Sequence, residues 1–518
     1  MPFQDNQKIP ILKLVPFMAL VLVCVVLMPT RAQAQCASPT GTAGEIIYNS
    51  SYSLMQTCNG TSWRAWPKKN MQGWKKISAG VLHTCGIKMD NSLWCWGHNQ
   101  YGQLGDGTTT TRWTPVPVSG GGEWLDVTAR GGMYHSPPNY WAATCAIKLD
   151  GSLYCWGNNE FNALGRSGGA AGNASVPTAV SFSGTWKSIK GGYNMMCAIR
   201  SDDRLFCWGD DVYRQLGDGA TLSTGYTARE VSGGGTWKMI DVDPWYNRHA
   251  CGIKSDDTLW CWGNGALGRL GDGGTANQGV PTAVSTTGIT TWKLVTTGYD
   301  STCGIKTDDT VWCWGANNQG QLANGSFSPS VLLPAQINTT NGATWKSVSA
   351  GDGATCGIRT DDSLWCWGYG AEGNHGNGIL VSQNVPVPVS GNRVWKQISG
   401  SWTICGLQVD DTLWCWAENY FGSVGNNTDV QQNFPVQIAA GSGCVDPVGV
   451  AGDIVFNGDT RVLQWCDGLV WVAAGRPPGF SPDMGCTGPV GAMGDLIYNS
   501  TANISQYCDG DNWRAIHR

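Results

Sequence analysis

The chain has 518 residues, of which 14% are charged, with a net charge of −5. That length suits several domains or one large repeat domain, and the absence of any Lys/Arg run argues against a nucleic-acid partner, which needs a basic patch. It also holds 72 glycines and 28 tryptophans; Gly-rich turns between short aromatic runs, without a sustained 3.6-residue apolar period, point to an all-β protein.

The first element is an export signal. Lys8 and Lys13 precede an apolar run over 14–28, and "RAQAQ" follows with small residues at Ala32 and Ala34. This order predicts a secretory signal over 1–34, cleaved after Ala34, because the run is short for a membrane span. The mature chain is expected to be secreted, periplasmic or at the cell surface, with no stable membrane insertion. Removing Cys24 with the signal leaves 20 of the 21 cysteines, an even number that favours disulfides in an oxidising compartment.

A small module follows at 35–70. Its core, "CASPTGTAGEIIYNSSYSLMQTCNGTSWRAW" (36–66), recurs at 444–474 and 486–516. All three share Cys, Pro, Gly, an acidic residue, an apolar strand, Asn, then Cys-Asp/Asn-Gly and Trp. Asn-Gly and Asp-Gly favour tight turns, so each module is read as two hairpins stapled by one bridge: Cys36–Cys58, Cys444–Cys466 and Cys486–Cys508. The later modules occupy 441–474 and 486–518, separated by a Pro/Gly-rich linker at 475–485. They are similar to short two-cysteine modules of bacterial surface and appendage proteins.

Between the modules, residues 71–440 carry a repeat of about 50 residues, with first cysteines at 85, 145, 197, 251, 303, 356 and 405. The copy beginning at Trp345 shows its grammar: strands at 345–349, 355–359, 364–367 and around 385–389. The Asp361-Asp362 pair turns the chain between strands two and three. Four short strands per unit, seven times over, predict a seven-bladed β-propeller whose blades must bury one another. Two tryptophans recur in every copy. One opens the first strand (Trp74, Trp124, Trp186, Trp237, Trp292, Trp345, Trp395), and the other follows the second cysteine (Trp96, Trp156, Trp208, Trp262, Trp314, Trp367, Trp416). Both are read as inter-blade packing.

A hairpin centred on Asp308 sets Ile305 against Val311, Gly304 against Trp312 and Cys303 against Cys313. Opposed Cα atoms on neighbouring strands lie about 4.5–5.5 Å apart, within disulfide reach. Seven bridges are expected: Cys85–Cys95, Cys145–Cys155, Cys197–Cys207, Cys251–Cys261, Cys303–Cys313, Cys356–Cys366 and Cys405–Cys415. Each would contribute roughly 3 kcal/mol at most. Metal and redox readings are weaker. Zinc sites want four ligands at shorter spacing, and redox pairs favour C-x-x-C. No metal site and no cofactor is expected.

The segment "ISAGVLHTCGIKMDNSLWCWGHNQYGQLGDGT" (77–108) resembles the repeat of the regulator of chromosome condensation family, with its Ala-Gly, His-Thr, Trp-Gly and Gly-Gln-Leu-Gly elements. The resemblance runs over about 74–440 and implies the same seven-bladed propeller. The sequence departs from the pattern where His survives only as His83 and His249, and where cysteines replace strand residues. The resemblance places those histidines at blade edges, tying loops to backbone. The family's nucleotide-exchange and chromatin roles do not fit an exported chain without a basic patch.

The remaining motifs carry little chemistry. G-x-G-x-x-G matches at 263–268 and 368–373 continue into Gly-rich loop rather than the helix a dinucleotide site requires. Asp106, Asp218 and Asp272 in "LGDG" offer one carboxylate per loop, which suits a turn better than a calcium site. No nucleophile elbow, H-E-x-x-H or phosphate loop is present, and no catalytic residue is assigned.

The links between strands one and two vary most, and their equivalence places them on one face of the disc. They bring Tyr134, Tyr140, Trp141, Tyr193, Met195, Trp245, Tyr246, Tyr299 and Trp402 to that face as candidate binding residues. The expectation is a non-catalytic binding or adhesion propeller for a protein or glycan partner. The alternatives are an extracellular polysaccharide-active enzyme, which would need a carboxylate cluster in one cleft, and a secreted protein inhibitor, a role known in this propeller family. A light sensor is disfavoured by the missing Gly-Trp-Arg-His-Thr motif.

Overall fold

The structure, a computed structural model, describes residues 73–439 apart from 134–139, 167–171, 221–224, 244–248, 287, 289 and 340–341, together with short strands in the flanking segments. The chain divides into two units, Gly73–Ser442 and the two flanking segments. In the flanking segments, Ile46–Asn49, Leu54–Cys58 and Trp63–Ala65 form a three-stranded antiparallel sheet, and the same sheet recurs from Ile454 and from Leu496. The register repeats as well: Cys58, Cys466 and Cys508 stand opposite Trp63, Trp471 and Trp513. The signal peptide, the linker and the three module bridges lie outside the described residues.

The unit from Gly73 is a seven-bladed propeller of four-stranded antiparallel sheets. Each blade is one contiguous stretch, with its strands in sequence order. Blade one comprises Trp74–Ala79, His83–Lys88, Leu93–Gly97 and Arg112–Pro117. Blade five comprises Trp292–Thr297, Ser301–Lys306, Val311–Ala316 and Ser330–Gln336. Strand composition follows radial position. First strands pack on one another around the ring and line the axis. Strands two and three, sandwiched between neighbouring blades, are almost wholly buried and read as apolar runs such as "LWCWG". Fourth strands are half exposed at the rim and carry prolines such as Pro115, Pro281, Pro386 and Pro435. Proline lacks the N–H that an open edge would offer another chain, which protects that edge.

The register is the one the hairpin argument requires, with Cys303 opposite Cys313, Gly304 opposite Trp312 and Ile305 opposite Val311. All seven blade pairs are disulfide bonded, with Cα atoms 4.0–4.1 Å apart. Each bridge is buried and packs against the two tryptophans of the following blade. Cys251–Cys261 meets Trp292 and Trp314, and Cys303–Cys313 meets Trp345 and Trp367. Most of these tryptophans pair edge to face, as Trp292 and Trp314 do with centroids 5.8 Å apart; that geometry suits the ring quadrupole. The indole also leaves no room on the neighbouring strand: a Cβ on Gly304 would come within 2.6 Å of the Trp292 ring.

Ring closure uses no exchanged strand. The N–H of each opening tryptophan donates to the second turn residue of the preceding blade, as Trp292 does to the Asp257 carbonyl. The seventh such bond, Trp74 to the Asp411 carbonyl at 2.8 Å, joins blade one to blade seven. A second ring runs closer to the axis. Side-chain oxygens of Ser78, Thr128, Asp241, Thr296, Ser349 and Ser399 accept a main-chain N–H from the next blade. Blade three has Lys190 in this place, which pairs with Asp241 of blade four at 3.2 Å.

The aspartate turns follow one plan. In blades one and four to seven the first Asp accepts from the N–H and hydroxyl of the Ser or Thr two residues on, and that hydroxyl accepts the next tryptophan's indole; blade two keeps the Asp150–Ser152 part only. Asp308, Thr310 and Trp312 show this relay at 2.6 and 2.8 Å. These hydrogen bonds hold Asp150, Asp256, Asp361 and Asp410 below the usual carboxylate range; blade three has Arg204 in place of the hydroxyl, and there the Arg200 guanidinium holds Asp202 down to about 2. The second residue adopts left-handed backbone, with φ of 69° at Asp309, as Asp tolerates.

Candidate functional site

In an antiparallel four-stranded blade, the links between strands one and two and the loops between strands three and four emerge at the same end. The aspartate turns and blade connections emerge at the other. The candidate face is therefore built from two sets of loops, although the sequence pointed only to the first.

Aromatic and apolar side chains from distant blades meet there. Val81 and Leu82 of the blade-one link are buried against Tyr299 of blade five, Trp402 of blade seven and Phe421 from the blade-seven outer loop. Tyr420, beside Trp402 with ring centroids 6.1 Å apart, is 56% exposed. Trp141 packs between Phe161 and Tyr193, at 6.0 and 5.5 Å.

Two expected binding residues do not reach the surface. Met195 begins the second strand of blade three and is fully buried against blade four with Trp237 and Trp262. Its position beside Cys197 makes it part of the strand rather than the link. Tyr193 is 4% exposed; its ring fills the space over Gly132, and its carbonyl accepts from the buried Arg130 guanidinium. Both are packing residues. Trp141, Tyr299 and Trp402 are half-buried. Tyr134, Trp245 and Tyr246 lie outside the described residues, as does the Tyr140 side chain.

The same face carries carboxylates that the aromatic pattern did not disclose. Trp402 Nε1 donates to Asp352 Oδ2 at 2.7 Å, and Asp300 pairs with the buried Arg269 at 2.7 Å. Glu372 and Glu418 come from the outer loops of blades six and seven. Burial pushes Glu418 up to about 8, and the charges of Glu372 and Asp352 add to the shift. Asp352 is raised by burial and by Asp300, against the Trp402 hydrogen bond. Tyr369 is raised by burial, with Glu372, Asp352 and Glu418 contributing. Like charges brought together by the fold add to burial in favouring the neutral forms of Asp352 and Glu418. The sequence signal was weak, because these residues come from four loops with no shared spacing.

The two histidines serve packing between blades. His83 Nε2 lies 2.8 Å from Thr144 Oγ1, whose hydroxyl donates to the Gln103 carbonyl at 2.7 Å, so the imidazole must carry its proton on Nε2. His249 meets Thr302 in the same way at 2.8 Å, and Thr302 donates to the Arg269 carbonyl. They tie one blade to the next blade's second strand, rather than tying a loop to its own backbone. Burial holds His83 neutral, near 3. The match at 263–268 enters a three-residue 3-10 turn, Ala266–Gly268, too short to present a helix terminus to a phosphate. Among the described residues, no group of three His, Cys, Asp or Glu is arranged to hold a metal ion.

The comparisons agree with this geometry. The regulator of chromosome condensation (RCC1) repeat matches residues 90–136, 150–199, 256–305 and 308–358. A second description of the repeat matches 74–103, 186–215, 292–321 and 345–374. The chain is 26% identical over 317 residues to the ultraviolet-B receptor UVR8 of Arabidopsis thaliana, covering 60% of this chain and 69% of that protein. It is 27% identical over 258 residues to the human E3 ubiquitin-protein ligase HERC2, covering 49% of this chain and 5% of the ligase. Among solved structures, human WBSCR16 superimposes with a TM-score of 0.59 at 17% identity, over 67% of this chain and 93% of that one. Yeast RCC1 (Prp20), solved with Kap60 bound, gives 0.57 at 17% identity, over 71% and 86%. This chain carries RCC1 repeats and closes them into a seven-bladed β-propeller.

Proposed function

We propose that this chain is an exported, non-catalytic binding propeller whose link face takes up a protein partner through basic contact residues. The observation that carries the reading is the joining of Asp300, Asp352, Glu372 and Glu418 with Trp402, Tyr299 and Tyr420 on one face, from blades that are distant in sequence. A cation brought beside these raised acids favours their charged forms, and the half-exposed rings take the stems of Lys and Arg, so the face favours basic side chains. The RCC1 fold supports the reading, since yeast RCC1 was solved with a protein partner bound. The signal expected over 1–34 and the even cysteine count of the mature chain support a partner outside the cytoplasm. The test is chemical cross-linking of the mature chain to extracellular proteins, comparing wild type with Glu372→Gln/Glu418→Gln. Loss of the captured proteins in the variant supports the reading; capture unchanged in identity and amount sinks it.

One observation favours a second reading, a polysaccharide-active enzyme. Glu418 stays protonated near neutral pH beside other carboxylates, as a glycosidic general acid must. Release of reducing ends from neutral or acidic polysaccharides, abolished in Glu418→Gln, would replace the binding proposal. The indole already bonded to Asp352 weighs against that carboxylate as a free partner.

A further inference from the structure

The outer loops between strands three and four share an internal clamp. In blade one, Asn99 Oδ1 accepts the Leu104 N–H at 3.0 Å, while Asn99 Nδ2 donates to Asp106 Oδ1, the Thr108 carbonyl and the Thr110 carbonyl at 3.0–3.2 Å. Blade five repeats this with Asn317, and blade seven with Asn419. One amide thus supplies an acceptor at one end of the loop and the donors that gather the other end.

Blade three keeps the frame and inverts this group. Asp211 stands in the asparagine's place; its Oδ1 accepts the Leu216 N–H at 3.0 Å, as in the other blades. Asp218 corresponds to Asp106: it accepts the Ala220 N–H at 2.8 Å and pairs with Arg229 at 2.7 Å, as Asp106 does with Thr108 and Arg112. Yet Asp211 Oδ2, where the others have a donor, is buried with no hydrogen-bond partner, and the residue is 2% exposed. An unpaired buried carboxyl oxygen beside the charges of Asp218 and Asp210 is costly. The carboxyl oxygen stands where the other blades have an amide nitrogen, and a proton on it would restore a donor at that position.

We propose that Asp211 is a proton-dependent latch on residues 210–220, the described part of the blade-three outer loop. Protonated, its hydroxyl donates as the asparagine amide does and clamps the loop. Ionised, with the proton released to water, it repels the oxygens around it and frees the loop. The charged groups facing it are Asp210 at the end of the third strand, Asp218 within the loop and Arg229 on the fourth strand. Burial pushes Asp211 up to about 6; Asp218 and Asp210 add to the shift, while the Leu216 N–H and Arg229 oppose it. A carboxyl raised in the folded state stabilises most below its ordinary range. That contribution is lost as pH rises through about 6, so the latch closes in acidic surroundings and opens in neutral ones.

The test is hydrogen exchange of the whole chain at pH 5 and 7.5, corrected for intrinsic exchange, on peptides covering 210–220. Residues 98–108 of blade one are the control within the same molecule. The expected result is protection in blade three that falls about tenfold at pH 7.5, with blade one unchanged. The isosteric Asp211→Asn should be protected at both pH values. Equal pH dependence in wild type and Asp211→Asn would overturn the proposal. So would recovery of wild-type protection at pH 7.5 on adding calcium, which would assign a cation rather than a proton.

Discussion

The two ends of the propeller are made by opposite rules. At the turn end most blades repeat one design: an Asp relay to a tryptophan in blades one and four to seven, a Lys paired with the second turn residue in all but blade two, and in blades one to six a strand-two cation over an aromatic ring. Lys306 lies 3.7 Å from the Trp312 centroid and Arg359 3.6 Å from Trp365. Blade seven lacks that cation, having Gln408, and Arg393 reaches the Trp414 ring from the preceding connection at 4.0 Å. At the link end the outer loops share a frame, but the links between strands one and two differ from blade to blade, and the carboxylates and aromatics that meet there come from unrelated positions. Repetition marks what holds the ring together, whereas departure from it marks what is available for recognition.

Four tests break or sharpen this contrast. Trp314→Ala removes a fully buried indole that packs on the Cys251–Cys261 bridge and donates to the Arg269 carbonyl at 2.9 Å. It should cost about 3–5 kcal/mol in urea unfolding, a typical cavity penalty. Half-exposed Trp402→Ala should cost clearly less, and equal losses would erase the distinction between the ends. Cys303→Ala/Cys313→Ala should lower stability by up to about 3 kcal/mol while far-ultraviolet dichroism stays native, because closure does not depend on any one bridge. A variant that no longer folds would show that the bridges nucleate the ring.

The third test uses pH at the link face. The Glu418 carboxyl is held near 8, above its ordinary 4.5. Its contribution to stability is therefore full below the ordinary value and lost as pH rises through about 8. The melting temperature of wild type should fall between pH 7 and 9 more than that of Glu418→Gln; parallel curves would remove the raised acid. The smallest effect belongs to the exposed pair Lys293–Asp309. Lys293→Ala should change stability by about 1 kcal/mol or less, and a larger loss would mean that the turn-end pairs act as a network.

Much of the architecture was legible beforehand. The spacing of Cys303 and Cys313 about the Asp308 turn implied a register that the sheet then shows, and the recurring tryptophans implied inter-blade packing. The site was less legible. Met195 was grouped with link residues, although strand pairing begins at that residue and buries it. Asp352, Glu372 and Glu418 raised no signal, because carboxylates in Gly-rich loops read as ordinary turn residues until a ring brings four loops to one end. Asp211 was equally silent: Asp for Asn is a small change in composition, and only the hydrogen bonds of blades one, five and seven show that a donor has become an acceptor.

By itself, the sequence determined the repeat, the four strands of each blade and which cysteines oppose one another. These depend on local rules: a two-residue alternation, turn-forming aspartates and fixed chain spacing. The tertiary structure decided how blade seven meets blade one, which aromatics are buried and which carboxylates share a face. Those outcomes depend on residues hundreds of positions apart. Their proximity is set by closing seven twisted sheets around one axis, and no local pattern encodes it.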